Sequence, residues 1–404
     1  MAYVPPHRRA KSSSKPETPP HSVNKVYKYP ARDDDAARSN VFIWFPVDEH
    51  VNPPANVQLD FKPFAGRSFP HLEDKKLYTI SVNPNPVDDV ENDTRSLMIN
   101  ETHPWRYTCE KIKGALRECF QRLEKYVKGS KPNYAKPTFT ARLGQNLFHG
   151  GWLSWHEYVS SNTLEKIWNS EISLQNQLRK VFYTHIPEDI FESLKEKTIT
   201  SLESPILKEK VVYIVEVGDI LNPNTVLRIT CRKKGIDGKQ LELKKIELHP
   251  IRAFVADTSC LKKLMDWRLS VTETYLIDLD EEDKESIEGI VNSACIDVSA
   301  KGGLQWPNGG FVRKRFVLIK TWTLNVTTIV GKTWDIKFQH ADRAKFMDSS
   351  GMVSNEIDIK LKSITKYLRD RRQWEEENIM NILEDSLKWV WMKVLNEYNL
   401  VHKD

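Results

Sequence analysis

A run of alternating segments between about residues 210 and 362 constrains this chain more than any other feature. "KVVYIVEV", "TVLRITCRK", "KQLELKKIEL", "IRAFVAD", "WRLSVTETYLIDL", "FVRKRFVLIKTWTLNV", "TWDIKFQH" and "MVSNEIDIKLKS" follow one another, rich in β-branched and aromatic residues. Successive side chains on a strand point to opposite faces, so period-two alternation marks a sheet with one apolar and one polar side. In the last segment Val353, Asn355, Ile357, Ile359 and Leu361 share one face. Glu356, Asp358, Lys360 and Lys362 share the other, as expected of an antiparallel strand with one side in water. "RKKGIDGK", 232–239, reads as a hairpin tip around Gly235 and an Asp237-Gly238 turn. One short helix, "EDKESIEGIVNSA", interrupts the series.

Ahead of it, "VFIWFPV", "VQLDFKPF", "KKLYTISVNP" and "TFTARLGQNLF" offer further strands, and Ile112, Leu116, Phe120, Leu123 and Val127 recur at helical spacing. A second helix is expected in "NTLEKIWNSEISLQNQLRKVF". A third of roughly thirty residues closes the chain near Tyr398, with Ile379, Leu383, Leu387, Val390 and Trp391 on its apolar stripe. The expected fold is α+β: a β-rich body of mostly antiparallel strands, helices packed on it, and a long C-terminal helix. The expected division is a Pro-rich basic tail over 1–40, a small α+β module over 41–150, a helical segment over 151–204, and an antiparallel domain over 205–404.

Several function classes drop out. No run of about 18 apolar residues occurs, which removes a spanning helix. Cys109, Cys119, Cys231, Cys260 and Cys295 are odd in number and form no C-x-x-C pair, which argues against a disulfide framework or a zinc knuckle. The early stretch has no secretory apolar core, and Pro5, Pro6, Pro16, Pro19 and Pro20 would break an import helix, so cytoplasm or nucleus is expected over mitochondrion. Gly331, Lys332 and Thr333 mimic the end of a phosphate loop, but Val326 stands where its leading glycine belongs. His149-Gly150-Gly151 lacks any G-x-S-x-G partner. "KGGLQWPNGG", 301–310, reads as a wide hairpin loop. No cofactor is expected.

The stretch "YVPPHRR" resembles the short tag in the tails of Ded-type DEAD-box RNA helicases and other RNA-processing proteins, through Tyr3, Val4, Pro5, Pro6, His7 and Arg9. Two prolines pre-set an extended backbone, so an aromatic and an arginine can dock at reduced entropic cost. The resemblance implies an address for RNA or an RNA-processing complex. It covers under a tenth of the chain, and the body lacks the helicase motifs.

Because the net charge is only +5, any basic function must lie in local patches. Arg232, Lys233, Lys234 and Lys239 cluster at one hairpin tip; Arg313, Lys314, Arg315 and Lys320 lie on the longest segment, where Arg313 and Arg315 are expected to share a face. With Trp306 and Trp322 as stacking surfaces, these cations could track a nucleic-acid backbone. In "DLDEED", Asp278 and Asp280 could hold a divalent ion, but capping of the next helix is the simpler account and no metal is expected. These features give a non-enzymatic RNA adaptor as the leading expectation. The alternatives are a metal-dependent enzyme acting on nucleotides or RNA ends, and a scaffold assembling through its last helix.

Overall fold

The computed structural model describes residues 41–47, 59–64, 77–82, 103–129, 135–149, 180–201, 205–235, 239–249, 251–261, 263–277, 279–307, 310–346, 351–370 and 375–395. The tag at Tyr3–Arg9, most of the helix expected from Asn162, the Asp237-Gly238 turn and Asp278 lie outside the described residues.

In chain order the strands begin with β1 (Val41–Val47), β2 (Leu59–Pro63), β3 (Leu77–Val82), β4 (Ala135–His149) and β5 (Lys180–Tyr183). The alternating region supplies β6 (Ile206–Asp219), β7 (Val226–Lys234), β8 (Gln240–Leu248), β9 (Ile251–Cys260) and β10 (Asp266–Tyr275). Short pieces β11 (Cys295–Ile296), β12 (Leu304–Gln305) and β13 (Val312–Arg313) precede β14 (Phe316–Val330), β15 (Trp334–Lys345) and β16 (Gly351–Leu361). The helices are α1 (Pro104–Gly129), α2 (Glu188–Thr200), α3 (Glu281–Ser293), α4 (Lys362–Asp370) and α5 (Glu376–Val390), the last running on as a π turn, Trp391–Leu395. The long C-terminal helix is thus shorter than expected.

Strand order makes the fold. β10, β4, β16, β15, β14, β6, β7 and β8 pair in that sequence, every neighbour antiparallel. An antiparallel bridge from Glu247 on β8 to Leu276, just past β10, joins the two ends. Eight strands therefore close into a barrel, a size whose interior side chains nearly fill or which holds one small ligand. Because β4 sits between β10 and β16, residues from 41–150 and from 205–404 share one sheet.

The barrel inverts the usual partition. Outward residues of β4, β10, β15 and β16, such as Leu143, Trp267, Phe338 and Ile359, are buried in one core with Leu116 of α1, Phe191 of α2, Leu368 of α4 and Leu383 of α5. On the opposite wall Val215, Ile229 and Leu318 pack under Ile287, Ile290 and Val291 of α3. Helices so cover the apolar outside, and alternation turns the polar faces inward. This corrects the expectation that the polar side of β16 meets water: Glu356 is 3% exposed. A half-solvated strand and a lumen-facing strand have the same sequence period, and only closure separates them.

Two loops also differ from expectation. "FVRKRFVLIK" is not one strand: Val312 pairs with Val317 and Arg313 with Phe316, leaving Lys314 and Arg315 as a tight hairpin with Lys314 at φ +54°. Arg313 and Arg315 therefore do not share a strand face. The glycine-rich loop tucks in rather than reaching out: Thr323 Oγ1 donates to Gly302 O at 2.8 Å, and Gly303 is buried at φ +69°. A Cβ on Gly303 would meet Thr323 Oγ1 at 2.0 Å. Gly303→Ala combines overpacking with a left-handed backbone and is expected to cost roughly 2–4 kcal/mol, measured by urea unfolding.

Candidate anion site in the barrel lumen

The lumen is built from the inward side chains of several strands. On β7, Arg228 lies opposite Glu216 of β6 and Glu247 of β8. Glu216 in turn lies opposite Lys320 of β14. Trp322, two residues on, faces Ile214 of β6 and Arg343 of β15. On the other side Arg142 of β4 lies opposite Asp358 of β16, which neighbours Lys337 of β15.

These groups divide into satisfied and unsatisfied charges. Asp358 takes a two-pronged bond from Arg142, with Nη2 to Oδ2 at 2.7 Å, and a further one from Gln339 Nε2 at 2.8 Å. Glu356 receives Arg343 Nη2 at 2.6 Å, Ser354 Oγ at 2.8 Å and Thr184 Oγ1 at 3.2 Å. Glu216 contacts His249 Nδ1 at 3.0 Å, and Glu247 pairs with Lys245. Among the described residues neither Arg228 nor Lys320 forms an ion pair. Both instead sit over Trp322, the guanidinium 5.3 Å and the ammonium 5.0 Å from its ring centroid.

The electrostatics follow from that arrangement. Burial lowers the pKa of Arg228; Glu216 and Glu247 pull it up, and Arg142 and Arg343 push it down. Burial also lowers Lys320, with Glu216 opposing and Arg343, Lys345 and Arg228 adding to the effect. Burial works against Arg142 too, but Asp358 more than offsets it, and that pKa is raised. The site holds cations that repel one another in a sheltered volume, the condition under which a multiply charged anion gains most.

A divalent ion fits less well. Metal sites for phosphoryl chemistry need carboxylate oxygens free to coordinate. The lumen carboxylates Asp358, Glu356, Glu216 and Glu247 each already face an arginine, a lysine or a histidine, so the donor set does not suit a resident metal.

The sequence-based candidates are scattered by comparison. Lys320 and Trp322 enter the lumen; the rest do not. Arg232 is tied to Glu242 at 2.7 and 3.2 Å, beside Lys244, also on Glu242 at 2.6 Å. Lys233 and Lys234 are exposed at that tip. Arg315 is held by Asp283 at 2.6 Å and lies 3.7 Å from Asp219, and Lys314 by Glu282 at 2.6 Å, so both serve the α3 docking. Arg313 lies exposed against Gly289 of α3. Seven strand residues separate Asp219 from the level of Arg232, which is about 20 Å. Trp306 packs edge-on against Phe346 at 5.6 Å. No continuous basic groove forms from these residues. Asp280 caps α3, accepting from Asp283 N at 2.9 Å, so the capping account replaces the metal one there.

Residues 35–394 match a family model described as a domain of unknown function, DUF7903. The chain belongs to that family. No curated protein matches it. Similar solved structures include the Schizosaccharomyces pombe Pct1 RNA triphosphatase in complex with the Spt5 CTD, at TM-score 0.43 and 11% identity, covering 71% of this chain and 93% of that one. The Mimivirus capping enzyme triphosphatase aligns at TM-score 0.31 and 10% identity, over 69% and 95%. A putative adenylate cyclase from Bacillus halodurans aligns at TM-score 0.23 and 12% identity, over 51% and 85%. Likeness at this level leaves the chemistry to be read from the chain's own residues. The expected non-enzymatic RNA adaptor is corrected: the continuous basic groove it requires does not form among the described residues, because Arg232, Lys314 and Arg315 are each held by local carboxylates.

Arg142, Arg228 and Arg343 were missed by sequence reasoning. Their signal was present in "TARLG", "VLRIT" and "ADRAK", where a lone arginine sits on the polar face of a strand.

Proposed function

We propose that this protein is an enzyme acting on the phosphate end of a nucleotide or RNA held inside the barrel. The observation that carries this reading is the pair of lumen cations, Arg228 and Lys320, without a carboxylate partner among the described residues and seated on Trp322. Phosphoryl transfer asks a protein mainly for positioning and electrostatic stabilisation. Arg228 offers a fork suited to non-bridging phosphate oxygens and Lys320 a point charge, so together they stabilise the charge that builds on the transferring group. Glu216, opposite both, is placed to accept the proton of an attacking water as its oxygen bonds phosphorus and the anhydride oxygen leaves with the departing phosphate. A divalent ion that arrives on the substrate is part of the substrate.

Release of inorganic phosphate from tripolyphosphate, GTP and 5′-triphosphorylated RNA tests the reading. Turnover of at least one is expected, with Glu216→Gln lowering kcat by about 10²-fold or more while KM changes little. Absence of phosphate release from all three contradicts it.

A further inference from the structure

Outside the barrel, where β15 passes beneath α2, three side chains converge: Glu188, Glu192 and His340 each bring a potential ligand atom within 4.8 Å of the others. The two glutamates are four residues apart on α2 and share a face, a like-charged pairing that weakens an isolated helix. His340 is held from two directions. Its ring lies 4.8 Å from that of Phe191, and its Nδ1 is 2.7 Å from Asn355 Oδ1.

The neighbouring amide fixes the tautomer. Asn355 bonds Glu188 Oε2, and a carboxylate only accepts, so the amide nitrogen must face it. The Asn355 oxygen is then left for His340, which requires a proton on Nδ1. In the neutral imidazole Nε2 then carries the lone pair, and it faces Glu192 Oε1, 3.6 Å away. In that form the two atoms share no hydrogen bond, and the other partner of Glu192, Lys195 Nζ at 3.3 Å, is an exposed contact within α2 that can swing away, unlike the fixed pairs of the lumen. A tetrahedral ion with bonds near 2.0–2.1 Å separates its ligands by about 3.3 Å, close to the spacing of Nε2 and Oε1. Metal-bound histidines also commonly donate their other ring nitrogen to an oxygen, as Nδ1 does here.

We propose that Glu188, Glu192 and His340 form a divalent-cation site of zinc type, distinct from the lumen, that clasps α2 to β15. Two carboxylates and a neutral imidazole leave a fourth position for water. The site neutralises the Glu188–Glu192 repulsion and ties a covering helix to the barrel wall.

Titration of the metal-free full chain with zinc chloride, by calorimetry and by thermal unfolding, tests the site. One zinc ion is expected to bind with micromolar affinity and to raise Tm. Glu192→Gln and Glu188→Gln, both at exposed positions, are each expected to weaken binding at least tenfold without lowering the metal-free Tm. Zinc binding that both variants leave unchanged overturns the proposal, and so does the absence of binding at 1 mM zinc, about a thousandfold above the expected affinity. Phosphate release does not enter either readout, so the lumen reading stands or falls separately.

Discussion

Replacing Arg228 with alanine is expected to lower the affinity for inorganic tripolyphosphate by about ten- to a hundredfold, the value of one or two charge-assisted hydrogen bonds. Stability should move the other way or stay level. In the free protein Arg228 forms no ion pair among the described residues, and its burial, with some repulsion from Arg142 and Arg343, outweighs the attraction of Glu216 and Glu247, so its removal relieves a cost. Calorimetry gives the affinity and urea unfolding gives the stability. A variant that binds normally but unfolds easily would make Arg228 a structural cation and remove it from the site.

The second large effect is on folding. Asp358→Ala leaves Arg142 without its two-pronged partner, close to other cations, and should cost about 3 kcal/mol or more. Glu242→Ala, which breaks the pair with Arg232 at the exposed hairpin, should cost less than about 1 kcal/mol. Urea unfolding of the two variants side by side checks the contrast. The same pair sets a pH dependence. Burial opposes ionisation of Asp358, but Arg142 outweighs it and holds its pKa below the ordinary value. Its stabilisation is therefore present above pH 4 or so and is lost as pH falls through the depressed value. Equal costs for the two variants would mean that the lumen behaves as open water.

Much of the sheet is legible in the sequence. Segments such as "TWDIKFQH" and "NEIDIKLKS" show the period of two that β15 and β16 adopt, and "EDKESIEGIVNSA" becomes α3 with Asp280 as its cap. What alternation cannot report is which side of the strand meets water. Glu356 and Asp358 look like solvated residues in sequence, and they become lumen residues only because β8 meets the chain beyond β10 through Glu247 and Leu276, a contact between distant positions. The site was misplaced for the same reason. Runs such as "RKKG" and "VRKR" draw attention by density, yet dense surface charge is locally neutralised, as Arg232 and Arg315 show. The arginines at 142, 228 and 343 show in sequence only as single cations on polar strand faces, and nothing local says that closure brings them together from separate strands. Only Lys320 and Trp322 belonged to both readings.

Binding of inorganic tripolyphosphate in the presence of a chelator tests the central claim most directly, since it asks whether the lumen's own cations suffice. Saturable binding to one site per chain is expected, nearly abolished in the Arg228→Ala, Lys320→Ala double variant and unaffected by Arg232→Ala at the hairpin tip. Binding that appears only when magnesium is restored, or that survives the double variant, would contradict it.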